Sequence, residues 1–495
     1  MGSTRKTGIK IIKKTGKVLA WIFGILLLLG IVSYFALKSP ACQTWLAKKA
    51  ASYLSNELHT KVTIRAVDID FFKTVNLNGI YVEDQHGDTL LYAEKLQADI
   101  HRFDMNNHYV SVSMITLADS KVKLKKYRGE HGLSYRFIQK YFQSTDTTKK
   151  AKGPWKVELG GISLDNITFA YVDTRDTIND PGMDYENIRV TGVSASISDI
   201  DMTGDSVSLR IKGLKGKERC GLALKDFSTR MTVADSSASL DNLHFITQGS
   251  AVDGFISFKF GSTDDFADDF NHLITMNGHV SNSVIEMGEV AYFAPELLGM
   301  KKKILLTGDI RGKVDHLRCK NVDLRFGEIS HVAGNFSFDG LPKISETDMN
   351  FKIREAVTDK KDLEGIPSFP FGKGGHLEVV DNVGKLGNMV FAGSFEGFLN
   401  DFVAHGNLST DLGSLKLDNV AMTRESDTSE YSYVGKVNAN HFNIGDYYSI
   451  PDLSFVTGDV NVNGTGLANA TIRALLDGSF SELVYRGYSY TGITV

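Results

Sequence analysis

Along most of the chain, apolar and polar residues alternate one by one. In KVTIRAVDIDFF (61–72), Val62 and Ile64 alternate with polar neighbours, then Val67, Ile69 and Phe71 do so on the opposite parity. One extra residue near Arg65-Ala66, a β-bulge, would account for that switch. The period of two returns at Val207/Leu209/Ile211, Ile256/Phe258/Phe260, Val322/Leu324/Phe326, Phe336/Phe338, Met349/Phe351/Ile353 and Val460/Val462. Successive strand side chains point to opposite faces, so the pattern predicts sheets with one apolar and one wet face.

Two N-terminal stretches break the alternation. Val18–Leu37 carries no charge over twenty residues, which at the helical rise spans roughly 30 Å, the hydrocarbon thickness of a bilayer. A secretory signal has a shorter apolar core, about 7–15 residues, and Pro40 makes Ser39-Pro40-Ala41 a poor cleavage site. The stretch therefore reads as a retained anchor, with Val18, Trp21, Phe23, Leu27, Ile31 and Leu37 in it. Residues 43–58 then place Leu46, Ala50, Leu54 and Leu58 at four-residue spacing, flanked by Trp45 and Tyr53. This predicts an amphipathic helix, one that covers a sheet edge or core end, lies at the membrane interface, or does both.

The rest divides by pattern. A basic leader (1–17) precedes the anchor (18–37) and the amphipathic helix (43–58). A first β segment covers 59–142 and a polar loop 143–154. A second β segment, 155–303, ends in a helical interruption, and a repeated β segment fills 304–495. Short helices are expected over 132–143 and over 283–303, the latter broken at Pro295. The repeat is carried by Gly308-Asp-Ile310-Arg-Gly312 against Gly393-Ser-Phe395-Glu-Gly397, followed by Leu317 against Phe402. Gly435-Lys-Val437 and Gly458-Asp-Val460 begin the same way. Unequal intervals exclude a fixed-period solenoid and favour a strand-and-turn unit used repeatedly. The β-prone end YRGYSYTGITV suggests a protein that continues beyond Val495.

Charge adds orientation. Arg5, Lys6, Lys10, Lys13, Lys14 and Lys17 precede the anchor, and only Lys38, Lys48 and Lys49 follow it closely. That bias puts the N-terminus in the cytoplasm and the bulk across the membrane. Without the leader, 49 basic residues face 59 acidic ones, which argues against nucleic acid as a ligand. With 8 Pro and 47 Gly, the chain suits strands and tight turns rather than proline-rich linkers. Cys42, Cys220 and Cys319 are too far apart and odd in number to imply a disulfide framework.

No constellation for catalysis stands out, so the chain is expected not to be an enzyme and to need no cofactor or metal. Gly308-x3-Gly312-Lys313-Val314 lacks the spacing and the hydroxyl of a P-loop. DIDMTG (199–204) has Arg210 where an EF-hand needs Glu. His316 and Cys319 have no second ligand pair, and Asp173, Asp176 and Asp180 read as a solvated loop. What remains is the apolar sheet face, with Ile256, Phe258, Phe260, Val322, Leu324, Phe326, Phe336, Phe338, Phe351 and Ile353 as candidates to face acyl chains. The alternation does not say which parity faces inward, and it is met equally by an open groove or by two sheets packed as a closed sandwich.

The anchor followed by LAKKAASYLSNELHTKVTIRAVDIDFFKTVNLNGIYVEDQHGDTLLYAEKL (46–96) resembles the translocation and assembly module TamB family, within the AsmA-like group, in its Bacteroidota-type form. TGDIRGKVDHLRCKNVDLRFG (307–327) and GKLGNMVFAGSFEGFLNDFVAHGNLSTDLGS (384–414) are similar to that family's internal repeats. The motifs are structural, and they match the family's N-terminal portion. The resemblance implies an N-terminal transmembrane helix followed by an elongated, curved, β-taco-like groove crossing the periplasm from the inner membrane. It implies phospholipid movement towards the outer membrane and a TamA-like outer-membrane barrel as partner, docked through a C-terminal part that this chain lacks. The alternative it implies is an envelope-spanning assembly factor for outer-membrane protein insertion or secretion.

Overall fold

The computed structural model describes residues 38–70, 73–130, 132–143, 156–175, 182–262, 264–368, 375–424, 431–466 and 471–495. The leader and the anchor residues Val18, Trp21, Phe23, Leu27, Ile31 and Leu37 lie outside them, as do Phe71, Asp176, Asp180 and nearly all of the loop 143–154. Among the described residues, no helix is long and apolar enough to cross a membrane. The protein is mainly β with few helices. It comprises two units, Met1–Thr177 with Glu186–Ser198 and Ile178–Tyr185 with Asp199–Val495.

In the first unit, α1 (Pro40–Leu58) precedes β1 (Val62–Asp70), β2 (Thr74–Glu83), β3 (Thr89–Asp104) and β4 (Tyr109–Lys126). Next come α2 (Arg136–Gln143), β5 (Lys156–Leu159), β6 (Gly161–Asp173) and β7 (Arg189–Thr203), whose last residues count with the second unit. Strands β1 to β4 pair antiparallel in sequence order; β5 and β6 lie parallel beside β4, and β7 returns antiparallel to β6. The sheet is therefore mixed. Leu77, Leu96, Leu117, Leu164 and Ala195 are partners across it, as are Val75, Ala98, Ile115, Ile162 and Ile197. That is the one-sided apolar face the alternation predicts.

Helix α1 covers the β1 edge, as expected, with Leu54 and Leu58 of the expected stripe inward but the other half of that stripe replaced. It starts at Pro40 rather than residue 43, because proline at the first turn has no amide to lose. Its buried positions are Gln43, Ala51 and Leu58, while Leu46 and Ala50 of the expected stripe are exposed. The reason is polar. The Gln43 amide group donates to the Ile69 carbonyl (3.3 Å) and accepts from the Ile69 N–H (2.7 Å). The Thr44 hydroxyl makes the same exchange with Val67 and Ser55 with Val62. Three side chains thus supply the hydrogen bonds that a neighbouring strand would have made.

The expected bulge at Arg65-Ala66 is absent. Ile64 faces Ile80 and Val67 faces Leu77 with no register shift between them. Both strands change parity together, with Gly79 in the left-handed region (φ 64°) at the switch, so no residue is left over.

The second unit is a single run of strands. It starts with β8 (Ser206–Glu218), β9 (Ala223–Leu224), β10 (Asp226–Ala234), β11 (Ser237–Ile246) and β12 (Ala251–Lys259). Then come β13 (Thr275–Glu286), β14 (Lys303–Lys313), β15 (His316–Phe326), β16 (Ser330–Asp339), β17 (Asp348–Thr358) and β18 (Met389–Phe398). The last are β19 (Asp401–Thr410), β20 (Gly413–Arg424), β21 (Tyr431–Asn443), β22 (Leu453–Thr465), β23 (Arg473–Tyr485), β24 (Tyr488–Tyr490) and β25 (Ile493–Thr494). From β10 to β23 each strand pairs antiparallel with its sequence neighbours. One hydrogen-bonded sheet forms, rather than the two packed sheets of a sandwich.

A crease crosses this sheet. Asn242, Asn282, Asn321 and Asn419 take positive φ where their strands carry an extra residue, a conformation asparagine tolerates better than most. Glycines face these bulges: a Cβ on Gly435 would sit 2.6 Å from the Val420 Cα, and one on Gly308 3.2 Å from the Val322 Cα. The Gly308/Gly393/Gly435 repeat is thus the mark of backbones meeting closely at the crease. Its second members, Gly312 and Gly397, precede two-residue turns at Val314-Asp315 and Leu399-Asn400. Bulges bend and twist their strands, so the sheet of this unit is open and curved.

Short helices sit in the longer connections: α3 (Asp265–Asp268), α4 (Phe270–Leu273), α5 (Met287–Val290), α6 (Lys360–Glu364) and α7 (Ile444–Tyr448). The helix expected over 283–303 is mostly absent, because Ser283–Glu286 completes β13 against β14. Beyond Glu286 the connection holds only α5 and a 3-10 turn at Pro295–Leu297. The expected 132–143 helix begins only at Arg136, since Leu133 bridges to Lys126.

Candidate functional site: an apolar sheet face

Register decides which candidates share a face. Ile256, Gly278, Ile310, Cys319, Phe336, Phe351, Phe395 and Ala404 are successive partners from β12 to β19. Beside them run Phe258, Met276, Gly312, Leu317, Phe338, Met349, Gly397 and Phe402. At ~4.8 Å per strand these rows extend roughly 34 Å. The row on the opposite face reads Ser257, Asn277, Arg311, Arg318, Ser337, Asn350, Glu396 and Val403. One side is apolar and the other is wet.

The apolar face carries an aromatic ladder. Ring centroids lie 5.1 Å apart for Phe336 and Phe351, 5.3 Å for Phe338 and Phe351, 5.4 Å for Phe351 and Phe395, and 4.5 Å for Phe395 and Phe402. All five rings remain half-buried. A sealed sandwich interior would hide such rings, yet the largest fully buried side chain among the described residues is Ile274.

The other candidates divide. Phe258 and Phe260 pack with Phe266 of α3 and Phe270 of α4, and Phe260 is 7% exposed, so these two are ordinary core under a pair of short helices. Val322, at 6% exposure, is buried at the crease against Gly308. Ile353 sits there too, between Gly334 and Gly393. Leu324 comes after Val322 on the same face, beside Leu306 and Val332. Phe326 ends β15 and also borders a depression of about 590 Å3 with Leu305, Arg325 and His331. The register turns Leu305, Arg325 and His331 away from Leu324. Phe395 and Phe402, not among the candidates, belong to the ladder; only the register across two hairpins reveals them.

Carboxylates, buried at Asp362 and half-buried at Glu289, fasten the strand ends. Asp362 of α6 accepts from the amides of Glu328, Ile329 and Ser330 at 2.9–3.0 Å and from the Ser330 hydroxyl. Glu289 of α5 likewise takes the Gly249 amide (2.8 Å) and the Thr247 and Ser250 hydroxyls. Asp173 is not the solvated loop residue expected: it is buried and held by Arg175. His316 and Cys319 fall on opposite faces, so they cannot share a metal. Burial on the apolar side pushes the Cys319 thiol up to about 11. No group of side chains able to hold a metal ion occurs among the described residues.

Comparison with protein-family models, curated proteins and solved structures finds no match. The site is therefore read from its own chemistry. It offers a long, half-open apolar surface with aromatic rings at near-regular intervals.

Proposed function

We propose that the chain conducts phospholipids by shielding their acyl chains on the apolar face of its sheets, non-enzymatically and without a cofactor. The observation that carries this reading is the half-exposed Phe336–Phe338–Phe351–Phe395–Phe402 ladder on a single sheet. An acyl chain of roughly 16 methylenes resists exposure to water by about 12 kcal/mol at ~0.8 kcal/mol each. A continuous apolar face lowers that barrier along its length without any chemical step. The family resemblance of the sequence fits this role, with an inner-membrane anchor at 18–37, the bulk in the periplasm and a TamA-like barrel at the far side.

The test uses the full chain. A photo-crosslinking side chain at Phe338 or Phe395 captures phospholipid, whereas the same probe at Ser337, on the wet face, does not. Phe351→Asp abolishes lipid transfer between vesicles while the protein still folds and expresses. Equal capture from both faces, or unaltered transfer by the Asp variant, refutes the conduit.

A further inference from the structure

The first unit contains a second feature with ligand-binding character, separate from the apolar face. Where α1 ends, the turn after β2 and the segment leading into α2 enclose a solvent-open pocket of about 680 Å3. That lies in the ~300–1,000 Å3 range of small-molecule sites. Its floor is apolar: Phe137 and Tyr141 pack on buried Leu58.

Its walls carry both signs of charge. Glu57 and Glu130 supply carboxylates, and Arg136 and Lys140 supply cations. The acids are tied to local partners that hold them in place. Glu130 takes an imidazole nitrogen of His86 at 3.2 Å, and the His86 ring is stacked on Tyr127 at 3.8 Å. Glu57 hydrogen-bonds to Tyr53 and raises its phenol, together with Tyr141. The Arg136 side chain lies over Gly132, where a Cβ would collide with it. A purely anionic ligand would meet the two carboxylates and a purely cationic one the two cations. A ligand bearing both charges a few bonds apart satisfies the pocket, and the apolar floor suits a hydrocarbon tail attached to it.

We propose that this pocket binds a zwitterionic headgroup of the phosphoethanolamine class, its phosphate against Arg136 and Lys140 and its ammonium against Glu57 and Glu130. The assignment takes its ligand class from the lipid reading above, but it uses none of the ladder residues. The full chain, held in amphipol, is titrated by calorimetry with three probes: dihexanoyl phosphatidylethanolamine, dihexanoyl phosphatidylglycerol and O-phosphoethanolamine.

Saturable binding of the phosphatidylethanolamine, at least tenfold tighter than of the phosphatidylglycerol, is expected. Arg136→Ala and Glu130→Gln, both at the protein surface, should each weaken it tenfold or more. O-phosphoethanolamine binding as tightly as the lipid supports the headgroup chemistry and assigns the ligand to a soluble source; much weaker binding assigns it to lipid. Absence of saturable binding, equal affinity for the glycerol lipid, or indifference to both substitutions overturns the proposal. Phe351→Asp should leave these titrations unchanged, so a failed conduit and a failed pocket give different results.

Discussion

Asp362 shows how one side chain fastens a turn. Burial alone would raise its carboxyl, but the amides of Glu328, Ile329 and Ser330 and the Ser330 hydroxyl outweigh burial and hold it at about 2, below the ordinary 3.8. A depressed value in the folded protein means that the stabilisation is full above about pH 4. It is lost as pH falls towards 2. Asp362→Ala strands three amides and should destabilise the second unit by about 2–4 kcal/mol at pH 7 in urea unfolding. The gap between wild type and Asp362→Asn should narrow between pH 4 and 2. On the wet face the sign reverses. Asp253 accepts a hydrogen bond from His244 at 2.6 Å and raises its imidazole, against a smaller lowering by desolvation. That stabilisation is present below the unfolded value near 6.5 and fades as pH rises through the folded one. In an NMR titration, His244 should have a higher midpoint in wild type than in Asp253→Asn.

At the scale of elements, α1 is the instructive case. Gln43→Ala with Thr44→Val should free the β1 edge, lower stability by about 1–3 kcal/mol and speed hydrogen exchange at the Val67 and Ile69 amides. Unchanged exchange there would refute the edge-covering role. The helix was legible in the sequence, but its face was not. Hydropathy points to Leu46 and Ala50, whereas the inward side is set by polar groups bonding to a strand backbone. The positions of β1, β8, β12, β15, β16, β17 and β22 were legible from period two alone. The helix expected over 283–303 failed because Val284 and Ile285 fit a strand end as well as a helical face, and only pairing with Leu305 and Ile304 decides between them. The glycine repeat was visible as a pattern, but its cause, backbones meeting at bulges, requires the neighbouring strand. The same bulges reset parity within strands, which hid the kinship of Phe395 and Phe402 with Phe336 and Phe351.

For each unit taken whole, the fold is mainly a one-sided sheet, and this much could be read from alternation and from the shortage of helices. The choice between an open face and a sandwich could not, because both have the same period; strand pairing in sequence order settles it for the second unit. That pairing has a consequence for size. A strand whose ladder bonds go only to its two neighbours in sequence has no distant ladder partner to lose, so a hairpin pair is removable by cutting at equivalent turns and rejoining. Gly312 and Gly397 mark such equivalent points, each just before a two-residue turn, with β15 to β18 between them. Deleting residues 313–397 also takes Leu386 and Met389 out of their buried cluster with Phe442 and Val456, so it should leave a second unit that is folded but less stable, shorter by roughly 19 Å at ~4.8 Å per strand, measurable by small-angle scattering. Loss of folding would show that the strands depend on more than their neighbours. The second unit thus works as a ruler graduated in hairpins, and its reach can be lengthened or shortened by whole units without redesigning the face it presents.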